Sequence, residues 1–170
     1  MGLSDIKKEL KKLDHNHLVD LIADLYKKNK AVKEYFDFYI NPDEKELFKK
    51  YQEKVKEAFF PKRGYRLKLS EGRSAISNFK KLGVSPDLLA DLMLYYVEMG
   101  VLFTNNFGDI DEPFYDSIAG VYLKALTLMK KENILDKYKI RAEKVVHDTR
   151  NIGWGFHDYL GQVYRDFYGE

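Results

Sequence analysis

The chain has no cysteine among its 170 residues. That absence removes disulfide frameworks, thiolate nucleophiles, cysteine-based zinc sites and iron–sulfur clusters together. No apolar run approaches the roughly 20 residues that span a bilayer. The amino terminus, Met1 to Leu10, lacks the apolar core of a signal peptide. A cytoplasmic protein with no membrane contact is the expectation. Also missing are a phosphate-cradling Gly loop, a Gly-x-Ser-x-Gly elbow, a His-Glu-x-x-His pair and a dinucleotide fingerprint. The familiar enzyme signatures are therefore absent, and the sequence implies no cofactor and no metal site.

Proline is scarce, with four in all, and its placement is informative. Asn41-Pro42, Ser85-Pro86 and Asp111-Glu112-Pro113 pair a capping side chain with a proline whose missing N–H costs nothing at a helix start. Pro61 stops the helix before it. What the chain has in quantity is aromatic mass, with 13 Tyr and 11 Phe, together with 45% hydrophobic and 33% charged residues. That composition belongs to a globular protein able to bury a core, and 170 residues fit one domain, 1–170.

The apolar residues recur at three- and four-residue spacing almost throughout, so eight or nine helices are predicted. Ser4 caps a first helix through Leu13, and Asp14 or Asn16 caps the next, which carries Leu18, Leu21, Ile22 and Leu25 on one stripe. Ala31–Ile40 is so aromatic that burial on two sides is expected. Helices follow from Asn41-Pro42 to Phe60 and from Ser70-Glu71 to Gly83. Ser85 to Phe107 is the most apolar run, which predicts a central helix, with a possible kink at Gly100. Phe114–Lys131, Ile134–His147 and a last helix from Gly155 or Phe156 to Tyr168 complete the chain. Pro61–Leu69 alternates Tyr65, Leu67 and Leu69 but has no partner strand and reads as a loop. Short joints make sequential helices antiparallel. The fold class is all-α, either stacked HEAT-like pairs in an α-α superhelix or a compact multi-helix bundle, and no period repeats well enough to establish true repeats.

The net charge of +2 hides an asymmetry. Residues 1–85 hold 20 basic and 13 acidic residues, and residues 86–170 hold 9 and 14. Lys45–Lys81 carries most of the excess, interleaved with Phe48, Tyr51, Phe59, Phe60, Tyr65 and Phe79. Basic residues mixed with aromatics can hold a nucleic-acid strand. These rings fall on core stripes, which leaves Lys62, Arg63, Arg66, Lys68 and Arg73 as the candidate patch for RNA or phosphate.

The densest constellation is His147–Tyr168. Gly153 and Gly155 flank Trp154, the only tryptophan, and permit positive φ or close backbone approach. His157 could act as a base or ligand, with Asp148 or Asp158 orienting its second nitrogen. Arg150 could hold a carboxylate or phosphate. In the competing structural reading Trp154 plugs the core, His157 makes a structural hydrogen bond and Arg150 pairs with an acid of Asp109–Asp116. Asp109, Asp111, Glu112 and Asp116 invite a cation, yet lack EF-hand spacing, and helix-start chemistry explains Asp111 and Glu112. His15-Asn16-His17 reads as a solvated pair.

Asn41-Pro42, Phe59-Phe60-Pro61, Gly108-Asp-Ile-Asp-Glu-Pro-Phe-Tyr115 and Gly153-Trp-Gly-Phe-His-Asp158 together resemble an uncharacterised group of small helical bacterial proteins, a domain of unknown function. The resemblance covers nearly the whole chain and implies a helical bacterial protein with no catalytic residue to transfer. The residues themselves point to a binding module for a protein or small-ligand partner. Its candidate site comprises Trp154, His157, Arg150, Asp148, Asp158, Asp109 and Asp111. Two alternatives stand beside it: a hydrolytic or metal-assisted enzyme using His157 with Asp148 or Asp158, and RNA or phosphate binding through Lys62–Arg73.

Overall fold

The computed structural model describes residues 1–64 and 66–169. Tyr65, the first member of the expected alternation in the loop, lies outside the described residues. Among those residues there are nine helices and no strand, so the fold is all-α. The chain divides into two compact units, Met1–Asp43 and Glu44–Glu170.

The first unit holds α1 (Leu3–Leu10), α2 (His15–Lys28) and α3 (Lys30–Ile40). The N-cap of α1 is Gly2, not Ser4, because the Asp5 carboxylate reaches back to the Gly2 N–H at 2.8 Å. The helix also stops at Leu10, short of the expected Leu13. Asp14 caps α2 as predicted, accepting from the His17 N–H at 2.9 Å, and its other oxygen takes the His17 ring proton. The Asn29 side chain caps α3 through Ala31 and Val32. The expectation that α3 is buried on two sides fails. None of the three helices has a buried residue, and Tyr39 and Ile40 lie open.

The second unit holds the core. Its helices are α4 (Glu44–Phe59), α5 (Leu69–Lys81), α6 (Pro86–Phe107), α7 (Glu112–Lys131), α8 (Leu135–Asp148) and α9 (Phe156–Tyr168). Helix α4 starts two residues beyond Pro42, and α5 opens at Leu69 rather than Ser70. Leu47, Tyr51, Val55, Ala58 and Phe59 form the buried stripe of α4 at the predicted spacing. Helix α6 is the centre. It buries ten residues, packs against α4, α5, α7 and α8, and runs unbroken through Gly100. A Cβ on Gly100 would lie 2.8 Å from Cγ1 of Ile118 and closer still to Cδ1, so the glycine serves close approach to α7 rather than a kink.

Contacts fix the directions of the helices. Tyr51 meets Phe79 while Ala58 lies beside Gly72, so α4 and α5 are antiparallel. Tyr96 bonds Ser117 and Thr104 bonds Tyr115, so α6 and α7 are antiparallel as well. Val146 meets His157 and Leu135 meets Tyr168, which pairs α8 with α9 in the same sense. Helices one step apart run parallel. Lys137 reaches Asp87, Arg141 reaches Asp91 and Glu98, and Asn105 reaches the Asp148 carbonyl, in step along α6 and α8. Short joints between amphipathic helices thus give antiparallel pairs packed on one another.

Candidate functional site

The Gly-Trp-Gly string sits at the corner between α8 and α9. Helix α8 ends at Asp148, and Thr149, wholly buried, is its C-cap. Trp154 and Gly155 then both take left-handed backbone, with φ of 61° and 67°, and Gly155 is the N-cap position of α9. A left-handed turn suits Gly155 but is an outlier for a residue as bulky as Trp. The turn throws the indole outward, and Trp154 is 60% exposed. The core plug of the competing reading is instead Phe156, which is buried with its ring 4.9 Å from that of Tyr115.

The corner rests on the joint between α6 and α7. A Cβ on Gly153 would meet Asp109 Oδ2 at 3.3 Å, so that carboxylate lies against the glycine backbone. The Tyr115 hydroxyl donates to Asp109 Oδ1 at 3.1 Å, lies 2.9 Å from Thr104 Oγ1 and accepts from the Ile110 N–H at 3.3 Å. Thr104 donates in turn to the Gly108 carbonyl. These bonds pin the 108–111 loop beneath Gly153. Burial pushes the Tyr115 phenol above its ordinary value, the chief cause of its shift, and the Asp109 carboxylate adds to it.

His157 is held by backbone. Its Nδ1 lies 3.1 Å from the Val146 carbonyl and 3.0 Å from Thr149 Oγ1. A carbonyl only accepts, so Nδ1 carries the proton, and the Thr149 hydroxyl also donates to Val146. Among the described residues, no carboxylate bonds His157. Asp148 turns the other way, to Lys144 and His147. Burial raises the Asp148 pKa and the ion pair with Lys144 outweighs it, so the carboxyl is held below its usual range. Asp158 and Arg150 are exposed and enter no ion pair among the described residues. Asp111 is occupied as the N-cap of α7, accepting from the Phe114 N–H at 2.9 Å. The structure thus gathers Trp154, Gly153 and Asp109 at one corner, and gives His157 a structural bond in place of a carboxylate partner. Among the described residues, no group of three or more His, Cys, Asp or Glu is placed to hold a metal ion.

Two of the five cations of the basic patch are paired with carboxylates. Lys62 bridges Glu53 and Glu57 at 2.8 and 2.9 Å, and the hydrogen bond it gives Glu53 holds that carboxyl below its usual range. Lys68 pairs with Glu71, and Arg73 donates to Ser117. Arg63 and Arg66 are the members of the patch without a partner among the described residues. Tyr51, Phe59 and Phe79 lie in the core, as their spacing implied.

Sequence reasoning missed a groove of about 650 Å³ between α5 and α7, floored by α6. Ile76, Leu89, Met93 and Val121 supply apolar wall, Arg73, Lys80, Lys124 and Lys131 stand around it, and among the described residues no carboxylate lines it. Its residues come from three helices, so no local pattern marks it. The nearest signal was Lys124 and Lys131, one heptad apart on α7.

Fold and corner together define a small all-α protein whose single Trp stands exposed at the joint between α8 and α9. The chain belongs to the family of unknown function DUF6155, which it matches over residues 1–168. No curated protein and no solved structure matches it.

Proposed function

We propose that the protein is a binding module whose contact point is Trp154. One observation carries the reading. A large aromatic is held 60% exposed on left-handed backbone that costs free energy for any residue but glycine. Strained backbone persists where the surrounding structure over-determines it, and here the Tyr115–Asp109 bond and the buried Phe156 supply that support. Trp is among the side chains most common at interaction hot spots, and Asp109, against the neighbouring Gly153, offers a carboxylate at the same corner. The setting in this reading is the cytoplasm of a bacterium, where a cysteine-free chain is at no disadvantage.

A neutral quencher should reach the single Trp efficiently, and Trp154→Ala should leave the thermal transition almost in place. The same variant should lose partner capture by at least tenfold, on the order of 1.4 kcal/mol or more. A Trp emission that is blue and protected, or a W154A variant that fails to fold, would sink this reading.

A second reading rests on the groove between α5 and α7. Four cations around an apolar floor suit an anionic ligand with an apolar body, such as a long-chain carboxylate, and about 650 Å³ lies within the size range of ligand sites. Binding of a fluorescent long-chain carboxylate should weaken in Lys80→Glu/Lys124→Glu and be indifferent to W154A. Equal binding by the charge-reversed variant would exclude the groove.

A further inference from the structure

The groove between α5 and α7 carries its positive charge at two separate places. Glu44 meets Ser85 and Phe60 meets Phe103, so α4 runs parallel to α6. Helix α5 is antiparallel to α4, and α7 to α6, so α5 and α7 run the same way. Arg73 of α5 donates to Ser117 of α7 and marks one end of the groove. Behind it stands the wholly buried Tyr96, whose hydroxyl lies 2.9 Å from Ser117 Oγ. Lys80 follows Arg73 by seven residues on α5, and Lys124 follows Ser117 by seven on α7. Two turns at about 1.5 Å per residue place both lysines about 10 Å along the groove from Arg73.

The stretch between these places is apolar. Ile76 lies between Arg73 and Lys80, Val121 between Ser117 and Lys124, and Met93 of α6 between Tyr96 and Leu89. The cations at either side of it are not neutralised. Arg73, Lys80 and Lys124 meet no carboxylate among the described residues. Elsewhere in the same unit Lys62, Lys68, Lys137, Arg141 and Lys144 each pair with one.

We infer that the groove takes a dianion, an extended apolar chain with an anionic group at each end. This rests on the reading of the groove as an anion site and adds that both ends of the ligand are held. Arg73, oriented by Ser117, presents the planar fork that suits a carboxylate or a phosphate. Lys80 and Lys124 hold the other end as point charges. Ile76, Met93 and Val121 cover the chain between. With a C–C length of about 1.5 Å, roughly eight methylenes span the separation of about 10 Å.

Titration calorimetry on the full chain tests the inference with decanedioate against decanoate, and with butanedioate against butanoate. Decanedioate should bind at least about tenfold more tightly than decanoate, the effect of one added charge-assisted contact. Butanedioate is too short to reach both ends and should gain nothing over butanoate. Arg73→Gln should remove most of the decanedioate advantage, and Arg73→Lys should restore part of it. The same comparison of decane-1,10-diyl bisphosphate with decyl phosphate tells phosphate ends from carboxylate ends, the larger advantage naming the group. Equal binding within both ten-carbon pairs overturns the two-ended site while leaving the groove an anion site. So does an equal advantage for butanedioate, or an R73Q variant that keeps the whole advantage. If none of the ten-carbon anions binds, the groove reading itself falls.

Discussion

Replacing Gly100 by valine is expected to lower the unfolding free energy by about 2–3 kcal/mol, the upper part of the roughly 1–3 kcal/mol range for overpacking a well-filled core. The physical reason is the seam between α6 and α7. Gly100 is buried, and a Cβ there would enter the Ile118 side chain, with Cγ1 at 2.8 Å. Ile118 is itself fully buried among its neighbours and has nowhere to turn. Gly100→Ala should cost less, because alanine recovers about 1 kcal/mol of helix propensity that glycine forfeits. Urea denaturation of G100A, G100V and G100A/I118V separates the two terms. The double variant should recover part of the alanine cost, since Ile118→Val removes Cδ1, the atom that would be struck hardest, and leaves Cγ1. If G100A matches or exceeds the wild type without that relief, the close approach of α6 and α7 is not what the glycine serves.

Arg141→Ala is expected to cost about 2–3 kcal/mol. The guanidinium reaches Glu98 with two parallel bonds, at 2.8 and 2.9 Å, and Asp91 with a third at 2.6 Å. Removing one partner of a buried ion pair costs roughly 3–5 kcal/mol, and the figure is reduced here because all three side chains retain about a third of their exposure. Lysine lacks the planar fork that takes Glu98 with two parallel bonds while a third N–H reaches Asp91, so Arg141→Lys should recover less than half of the loss. The effect should extend beyond stability. This network, with Lys137–Asp87 and Asn105–Asp148, holds α8 in step with α6, and the end of α8 carries the Trp154 corner. Both variants should therefore change quenching of Trp154 along with the denaturation midpoint. A midpoint that falls while Trp quenching stays constant would separate the clamp from the corner.

How much of this was legible in the chain varies by element. The Asp111 cap with Pro113 behind it is a contact between near neighbours, and the structure reproduces it. The Asp14 cap is the same case. The apolar run from Leu88 to Phe103, broken only by the charges of Asp91 and Glu98, suits a helix covered on most sides, and α6 is that helix. Helix α3 misled because aromatic density was taken for burial. The exposed Tyr35, Tyr39 and Ile40 show that apolar and aromatic density does not by itself mean burial within this unit.

The candidate corner divides in the same way. Gly153 and Gly155 announced an unusual backbone, and two successive residues do adopt positive φ. That Trp154 faces out while Phe156 faces in was not legible. Neighbouring side chains on a left-handed turn can exchange roles, and the choice is made by Tyr115 from another helix. His157 looked like a catalytic candidate because Asp148 and Asp158 are close in sequence. Its partner is instead the Val146 carbonyl, freed because α8 ends there. The Arg141 clamp joins residues 43 and 50 positions apart, and the groove joins three helices. No periodicity within one helix encodes such meetings.

The chain alone therefore determined its helices, their starts and stops and which stripe of each is apolar, since propensity, capping and periodicity act over a few residues. The packing of the helices decided which stripes are covered, which carboxylate meets which base, and that the single indole stands outside the core. Those outcomes depend on surfaces brought together from distant parts of the chain, and local chemistry carries no record of them.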